Sequence, residues 1–466
     1  MLTLGNLSKR QNCYMNEAMG YGYAFVPGGN AGIVILDRRS LRLLSNPLLS
    51  QSDSDLTRIN LLVQKGLLID SSADLTQPLS LSIDGNGVRT LGTWLHVANA
   101  CNLNCPYCYI RKCNKLMPEV VADAYVRKLE ESISRHNIRE VVVRFAGGEP
   151  MLQKKLVFGL MEKITKRMQE HNVISRFALI TNGTLLDESW IEFIKLNNVR
   201  VSISLDGVEK WHNKTRFFSD GSGTFKSVWK AIQLCKASGL DPTILTTMTE
   251  ANVEGIPELT RLLIESNLGS RYGVYRDTST NDSYAGYPDF ISKLTDALRQ
   301  SYDYYADAIK NNGISFKHQL ADIRIDRHRH LRCCSAGRSG ISVNYDGRVY
   351  LCQSEMADEQ KSIGSVYQDS NTFLEMLNKQ NVMPNLKTKN VSDYKQCSSC
   401  QWSVTCGGGC PMVSYNTYGT FTTASPYCEL FKRFIPRLID LKALSLICEI
   451  LKKGGATYGR ADHSSF

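Results

Sequence analysis

Between residues 91 and 330, strand-like and helix-like segments alternate, and this alternation narrows the fold more than any other feature of the chain. TWLHVAN (93–99) reads as a strand, VVADAYVRKLEESISRH (120–136) as a helix, and REVVVRFAGGEP (139–150) as a buried strand ending in a glycine turn. A helix over 155–171, strand RFALITNG (176–183), helix WIEFIKLNN (190–198) and strand VRVSISLDG (199–207) follow. A helix around 224–238, strand DPTILTTMT (241–249), another helix and strand SRYGVYRD (270–277) complete the run. Five or six β/α units in succession predict an α/β fold, a parallel sheet curled into a partial (β/α)6 barrel of TIM-like type. Active sites of such barrels gather at the C-terminal strand ends. There the chain carries three cysteines, GGEP, TNGT, SLDG and YRD; turns that merely reverse the chain explain each singly but not the set.

The cysteines are Cys101, Cys105 and Cys108, in CNLNCPYC. The spacing C-x3-C-x2-C gives three thiolates where a cubane iron–sulfur cluster normally takes four, so one iron stays open to a small molecule. A zinc knuckle would want a second cysteine pair nearby, which Cys113 alone does not supply. With Tyr107 just before the last Cys, the motif resembles the radical S-adenosylmethionine (SAM) superfamily. That resemblance implies that the open iron chelates the amino and carboxylate groups of SAM. It also implies that an electron from the cluster breaks a C–S bond to give a 5′-deoxyadenosyl radical.

The family's strand-end motif is matched by Gly147-Gly148-Glu149-Pro150, which by resemblance contacts the methionyl amino group. The chemistry agrees, since glycines admit close backbone approach and a carboxylate accepts charge-assisted bonds from an ammonium. The resemblance further implies that Ser204 touches the SAM carboxylate or ribose and that Arg216, in HNKTRFFSDGSGTF, binds the carboxylate; Tyr107 joins the cofactor-binding set. Asp206 is expected to order its own loop, an Asp-Gly pair being also an ordinary turn signal.

Seven further cysteines run Cys334, then Gly347-x4-Cys352, then Cys397-x2-Cys400-x5-Cys406-x3-Cys410, and Cys428. This array is similar to the SPASM domain, which carries two auxiliary [4Fe–4S] clusters in radical SAM enzymes acting on peptides and proteins. NYDGRVYLC (344–352) reads as a hairpin presenting its Cys on a DG turn, and CGGGC (406–410) supplies glycines where backbone wraps closely. The resemblance assigns Cys397, Cys400, Cys406 and Cys428 to one cluster and Cys334, Cys352 and Cys410 to the other, for three [4Fe–4S] clusters in all. The second set lacks a fourth ligand. Cys333 is a candidate, although vicinal thiolates are awkward on one cubane. His328 and His330, in RIDRHRHLRCC, are others, although such residues also form solvated basic faces. Two zinc sites would use many of the same thiols. Cys13, Cys113, Cys235 and Cys448 read as structural thiols.

The N-terminus lacks the organisation of a signal peptide, and no apolar run reaches the length of a membrane span. A cytoplasmic location follows, with no membrane partner. In a reducing compartment 15 cysteines point to metal rather than disulfides. The formal charge of +10 is spread along the chain without basic residues interleaved with aromatics, so an acidic peptide or anionic cofactor fits better than nucleic acid.

Four regions are expected: an α+β domain over 1–90, the barrel over 91–330, the SPASM region over 331–435, and a C-terminal helix and tail over 436–466. YGYAFVPGGNAGIVILD (21–37) looks like a hairpin and DLTRINLLVQKGLLID (55–70) like a helix leading through glycine into a strand. This N-terminal pattern resembles the recognition elements of ribosomal-peptide maturases, which bind a leader segment by strand addition; a structural cap is the alternative. FKRFIPRLIDLKALSLICEILKKGG (431–455) is amphipathic and is expected to pack on the barrel.

Together these resemblances imply an enzyme that removes a hydrogen atom from a residue of a ribosomally synthesised precursor peptide and forms a C–C or C–S cross-link. Epimerisation and backbone excision are alternatives. A flavodoxin or ferredoxin is the expected type of reductant. A sulfatase maturase, which makes formylglycine, is a second reading. In that family an Asp typically follows the Cys of G-x4-C as base; here Gln353 stands there, with Ser354 and Glu355 beyond. Glu355 and Asp277 are the candidate bases. A non-catalytic iron–sulfur electron carrier is the rival from another class, but it has no need of GGEP, Ser204 and Arg216.

Overall fold

The computed structural model describes residues 4–70, 88–276, 288–328, 330–368, 370–379 and 390–453. The N-terminal part holds strands β1 (Leu7–Lys9), β2 (Tyr14–Ala18), β3 (Tyr21–Phe25), β4 (Ile33–Leu36) and β5 (Leu68–Asp70) with helices α1 (Arg38–Ser45) and α2 (Asp53–Gln64). β2, β3 and β4 form an antiparallel sheet, and β1 pairs with β5. Both helices start on side-chain caps: Asp37 accepts the Ser40 N–H at 2.6 Å and Ser52 the Asp55 N–H at 3.2 Å. Leu43, Leu44, Ile59, Leu62 and Leu68 give this part a core of its own.

The parallel strands are β6 (Thr90–Ala98), β7 (Glu140–Gly147), β8 (Ile174–Thr181), β9 (Arg200–Ser204), β10 (Thr243–Met248), β11 (Ser270–Val274) and the short β12 (His318–Leu320). Between them lie α3 (Glu119–Arg135), α4 (Lys154–Glu170), α5 (Glu188–Leu196), α6 (Glu209–Thr215), α7 (Phe225–Ala237), α8 (Ile256–Glu265) and α9 (Pro288–Asn312). On β6 the period of two is plain. Leu91, Leu95 and Val97 sit in the main core, and Thr93 hydrogen-bonds the Tyr125 hydroxyl of α3 at 2.6 Å. Trp94 and His96 therefore point to the opposite face, into the concave side of the sheet.

From the C-terminal region β13 (Gly340–Val343) adds parallel to β6, and β14 (Arg348–Tyr350) and β15 (Gly364–Ser365) continue antiparallel. A single ten-stranded sheet thus crosses the expected 330/331 boundary. The Asp346-Gly347 turn joins β13 to β14, with Gly347 at φ +86°. After α10 (Phe373–Lys379), α11 (Ser403–Cys406) and α12 (Pro411–Tyr418), the chain ends in α13 (Cys428–Lys452).

α13 packs on α9, with Phe434 edge-on to Tyr302 at 5.3 Å, as the amphipathic pattern predicts. It also meets the N-terminal sheet, where Asp440 Oδ1 accepts the hydroxyls of Tyr14 and Tyr23 at 2.7 Å each. Among the described residues no helix is long and apolar enough to cross a membrane.

Candidate active site and cluster ligands

The three-cysteine loop leaves β6 at its C-terminal end and is fastened by backbone. Gly148 N–H donates to Ala98 O at 2.7 Å and Glu149 N–H to Ala100 O at 2.9 Å. A Cβ on Gly147 would lie 2.2 Å from Ala98 O, and one on Gly148 would lie 2.1 Å from Ala100 O. Only glycine admits that approach. Asn104 N–H donates to Phe217 O at 2.8 Å, so the loop's other flank is pinned to the segment after α6.

Glu149 is fully buried. Its Oε1 accepts the Thr181 hydroxyl at 2.7 Å and the Met151 N–H at 3.0 Å, and its Oε2 accepts the Asn182 N–H at 2.8 Å. Three of about four carboxylate acceptor positions are thus filled, leaving one. Burial raises its pKa, and these bonds and Arg216 oppose the rise. Asn182 was not singled out from the sequence, yet its Nδ2 donates to Asn102 Oδ1 at 2.9 Å and ties β8 to the cysteine loop. ITNGT at a strand end was the available signal.

Ser204 ends β9, and Asp206 follows, fully buried. Asp206 does more than order its own loop. Its Oδ2 accepts the Tyr107 hydroxyl at 2.5 Å, Arg216 Nε at 2.7 Å and the Thr215 hydroxyl at 3.2 Å, while Oδ1 accepts the Thr247 N–H at 2.9 Å. The Arg216 guanidinium carbon also lies 5.4 Å from the centre of the Tyr107 ring. Burial works against the Arg216 charge, but Asp206, with Tyr107 and Cys105, holds the pKa above its ordinary value.

Cys397, Cys400, Cys406 and Cys428 line one cavity, closed by Trp402, Phe431 and Ile435. Burial pushes Cys397 up to about 11 and Cys406 up to about 12. Among the described residues no three His, Cys, Asp or Glu side chains converge tightly enough for a single ion. A cubane spreads its ligands more widely, so four thiols around a cavity fit a cluster. Close by run the three left-handed glycines of CGGGC; a Cβ on Gly407 would sit 2.3 Å from Cys333 N.

Cys334, Cys352 and Cys410 influence one another electrostatically, as members of a second group must. Buried Cys333 joins them, its Sγ 3.0 Å from Asp322 Oδ1, and Arg276 pairs with the same Asp322 oxygen at 2.5 Å. The histidines weighed as fourth ligands are committed elsewhere. His330 Nε2 contacts both Asp326 carboxylate oxygens at 2.8 and 2.9 Å, its Nδ1 meets Arg324, and His328 is exposed with its N–H on Asp326. Both placements agree with the solvated polar face that the segment also suggests. Of the four thiols read as structural, Cys235 and Cys448 are buried, Cys13 is half-buried and Cys113 is exposed.

Glu355 is buried, its Oε2 has no hydrogen-bond partner among the described residues, and burial pushes its pKa up to about 7. Asp277 lies outside the described residues. Two further groups stand between the cysteine loop and the C-terminal region. His96 is fully buried with both ring nitrogens unpartnered among the described residues, and burial pulls it down to about 3. Tyr109, 6.3 Å away ring to ring, is raised by burial and then by the charges of Cys108 and Cys352. A lone His in an apolar strand gives no sequence signal.

Residues 95–263 match the Radical SAM superfamily, and residues 333–401 match the SPASM iron–sulfur cluster-binding domain. A cysteine-type anaerobic sulfatase-maturating enzyme of Clostridium novyi is 26% identical over 357 residues, 73% of this chain and 92% of that protein. The radical SAM cyclopropyl synthase TigE of Paramaledivibacter caminithermalis is 23% identical over 369 residues, 74% of this chain and 73% of TigE.

In fold, the chain resembles anSMEcpe bound to AdoMet and the Cp18Cys peptide, with a TM-score of 0.61 and 22% identity over 76% of this chain and 99% of that one. It likewise resembles Streptococcus suis SuiB bound to its precursor peptide SuiA, with a TM-score of 0.53 and 15% identity over 90% of this chain and 98% of SuiB. A SAM-binding iron–sulfur barrel and a cluster-binding extension are therefore joined in one molecule: the chain belongs to the radical SAM enzymes with a SPASM domain, related to the anaerobic sulfatase-maturating enzymes and to peptide maturases.

Proposed function

We propose that this enzyme modifies a ribosomally synthesised precursor peptide, taking a hydrogen atom from one residue and closing a C–C or C–S cross-link. The observation that carries the reading is the rim itself, where the cysteine loop is clamped by Gly148 and Glu149 and bonded to the ends of β8 and β9. When bound, the cluster and SAM supply a 5′-deoxyadenosyl radical that accepts the substrate's hydrogen atom. In this reading Cys101, Cys105 and Cys108 hold the first of three [4Fe–4S] clusters. Glu149 takes the SAM ammonium on its remaining acceptor position, and Arg216 and Ser204 take the carboxylate end.

Closing a cross-link removes a second hydrogen as a proton and an electron. Glu355 Oε2 is the proposed proton acceptor, since a carboxyl titrating near 7 suits proton transfer at neutral pH; Asp277 is the alternative by its position in the sequence. Cys334, Cys352 and Cys410, with Cys333 proposed as fourth ligand, would hold an auxiliary cluster able to accept that electron. Cys397, Cys400, Cys406 and Cys428 hold the other auxiliary cluster. Residues 1–90 are proposed to bind the leader, on the pattern of their small antiparallel sheet. A flavodoxin or ferredoxin would act as reductant, in the cytoplasm.

The test is mass spectrometry of any short peptide encoded beside the gene, after incubation with reconstituted enzyme, SAM and reductant. A cross-link removes two hydrogens and leaves the sulfur count unchanged. Loss of sulfur with gain of oxygen at a Cys, or loss of two hydrogens at a single Ser that becomes reactive to a hydrazine, would instead mark formylglycine formation. That second reading is favoured by one observation, the buried Glu355 carboxyl beside Cys352, whose Oε2 has no partner among the described residues. SAM cleavage with neither product and no epimerised or excised residue would sink the peptide assignment.

A further inference from the structure

We infer that Asp206 is a positioning residue of the SAM site, which aims Arg216 and Tyr107 at the cofactor and balances the Arg216 charge beside the cysteine loop. The inference rests on the SAM reading proposed above and extends it to a residue that the sequence motif does not assign. An aspartate that merely ordered its own turn would bond to neighbours. Here the donors come from the cysteine loop, 99 positions earlier, from the end of α6, and from the backbone of β10. The Asp206 main chain is fixed as well: its N–H donates to His212 Nδ1 at 3.2 Å, and its carbonyl accepts Asn252 Nδ2 at 2.8 Å. The carboxylate is therefore rigid, fully buried and bonded on both oxygens.

Two consequences follow from the geometry. Only Nε of Arg216 is engaged by Asp206, so the two terminal nitrogens keep their donors, with no partner among the described residues. A guanidinium held through Nε presents that free edge in a fixed direction, the arrangement that suits a carboxylate. Tyr107 is held by its hydroxyl on the same carboxylate oxygen, and Arg216 stacks over its ring, so one anion sets both groups. The second consequence is electrostatic. Asn104, beside Cys105, donates its N–H to the carbonyl of Phe217, beside Arg216, at 2.8 Å, so the Asp206–Arg216 pair lies against the cysteine loop. Removing the carboxylate charge would leave Arg216 uncompensated beside a cluster thiolate, which favours the more negative, reduced cluster.

The experiment uses the anaerobically reconstituted full chain and measures SAM affinity, the midpoint potential of the SAM-binding cluster, and iron content. Asp206→Asn keeps the size and the Thr247 acceptor while removing the charge. At wild-type iron content, SAM binding should weaken about ten- to a hundredfold, the range for losing a hydrogen bond to a charged group, and the potential should move upward. Tyr107→Phe should weaken SAM binding by itself, and the two substitutions together should cost less than the sum, because they remove one shared interaction. Unchanged affinity and potential in a fully loaded Asp206→Asn protein would overturn the inference. If that variant loses iron, Tyr107→Phe decides: wild-type affinity there would overturn it equally. A wild-type protein that binds no SAM is a different failure, and it would remove the SAM reading and this inference together.

Discussion

The barrel rim and the cysteine-rich region hold their functional side chains by different means. At the rim, Glu149 and Asp206 sit at the ends of long parallel strands, buried, each accepting hydrogen bonds from at least three groups of the fold itself. In the cysteine-rich region the thiols stand on a short turn, a four-residue helix and the first residue of α13, linked by left-handed glycines. Their burial raises thiol pKa values, so binding metal must expel protons, and the hydrogen bonds that shape these segments are local backbone turns. The rim is organised by folding, whereas the array is organised together with its clusters.

Stripping iron with a chelator should give the largest separation of the two regions. Hydrogen exchange over 390–430 should lose most of its protection while β6–β11 keep theirs; equal loss in both would erase the distinction. Acid should be the next strongest probe. His96, His212 and His318 titrate at about 3, 4 and 3 when folded, below the ordinary 6.5, because burial disfavours their charge. The unfolded chain therefore takes up protons first. Their stability is fully present above about 6.5 and lost as pH falls towards 4, by about 4 kcal/mol per pH unit for the three together.

Glu355 behaves in the opposite sense, its folded pKa of about 7 lying above its ordinary 4.5. Its stability is present below about 4.5 and lost as pH rises through 7. Glu355→Gln should raise the thermal midpoint at pH 8, by the equivalent of about 1–3 kcal/mol, and leave it unchanged near pH 4.5. A gain at both pH values would mean that the carboxyl is not the buried acid described.

Gly148→Ala places a methyl 2.1 Å from Ala100 O, against backbone that is itself pinned. It should cost about 1–3 kcal/mol in thermal or denaturant melts and loosen the cysteine loop. Gly159→Ala, in open space on α4, should be neutral or slightly stabilising. Asp440→Asn should cost about 1 kcal/mol, seen as faster exchange in β2 and β3, whose tyrosines it holds.

Much of the rim was legible because each strand has a period-two pattern and ends in glycine or a polar pair. The four-cysteine cavity was legible through the family resemblance, which groups Cys397, Cys400, Cys406 and Cys428. What stayed hidden was non-local. Asp206 reads as a turn residue because Tyr107, one of its chief partners, lies 99 positions away. The junction of β13 with β6 joins residues some 250 apart and carries no motif. The contact of His330 with Asp326, four residues before it, is local, but the spacing to Cys333 does not reveal it. His96 was lost in an apolar strand whose other face packs under α3.

The central claim is that Cys101, Cys105 and Cys108 form a SAM-cleaving centre separable from the other cysteines. The most direct test is 5′-deoxyadenosine formation, with an iron count, by the reconstituted wild type and by the variant carrying Cys101→Ala, Cys105→Ala and Cys108→Ala. The account predicts formation by the wild type at about twelve irons per chain, and none by the variant at about eight, from four irons per cubane. 5′-Deoxyadenosine from the variant, or its loss of all iron, would contradict the account.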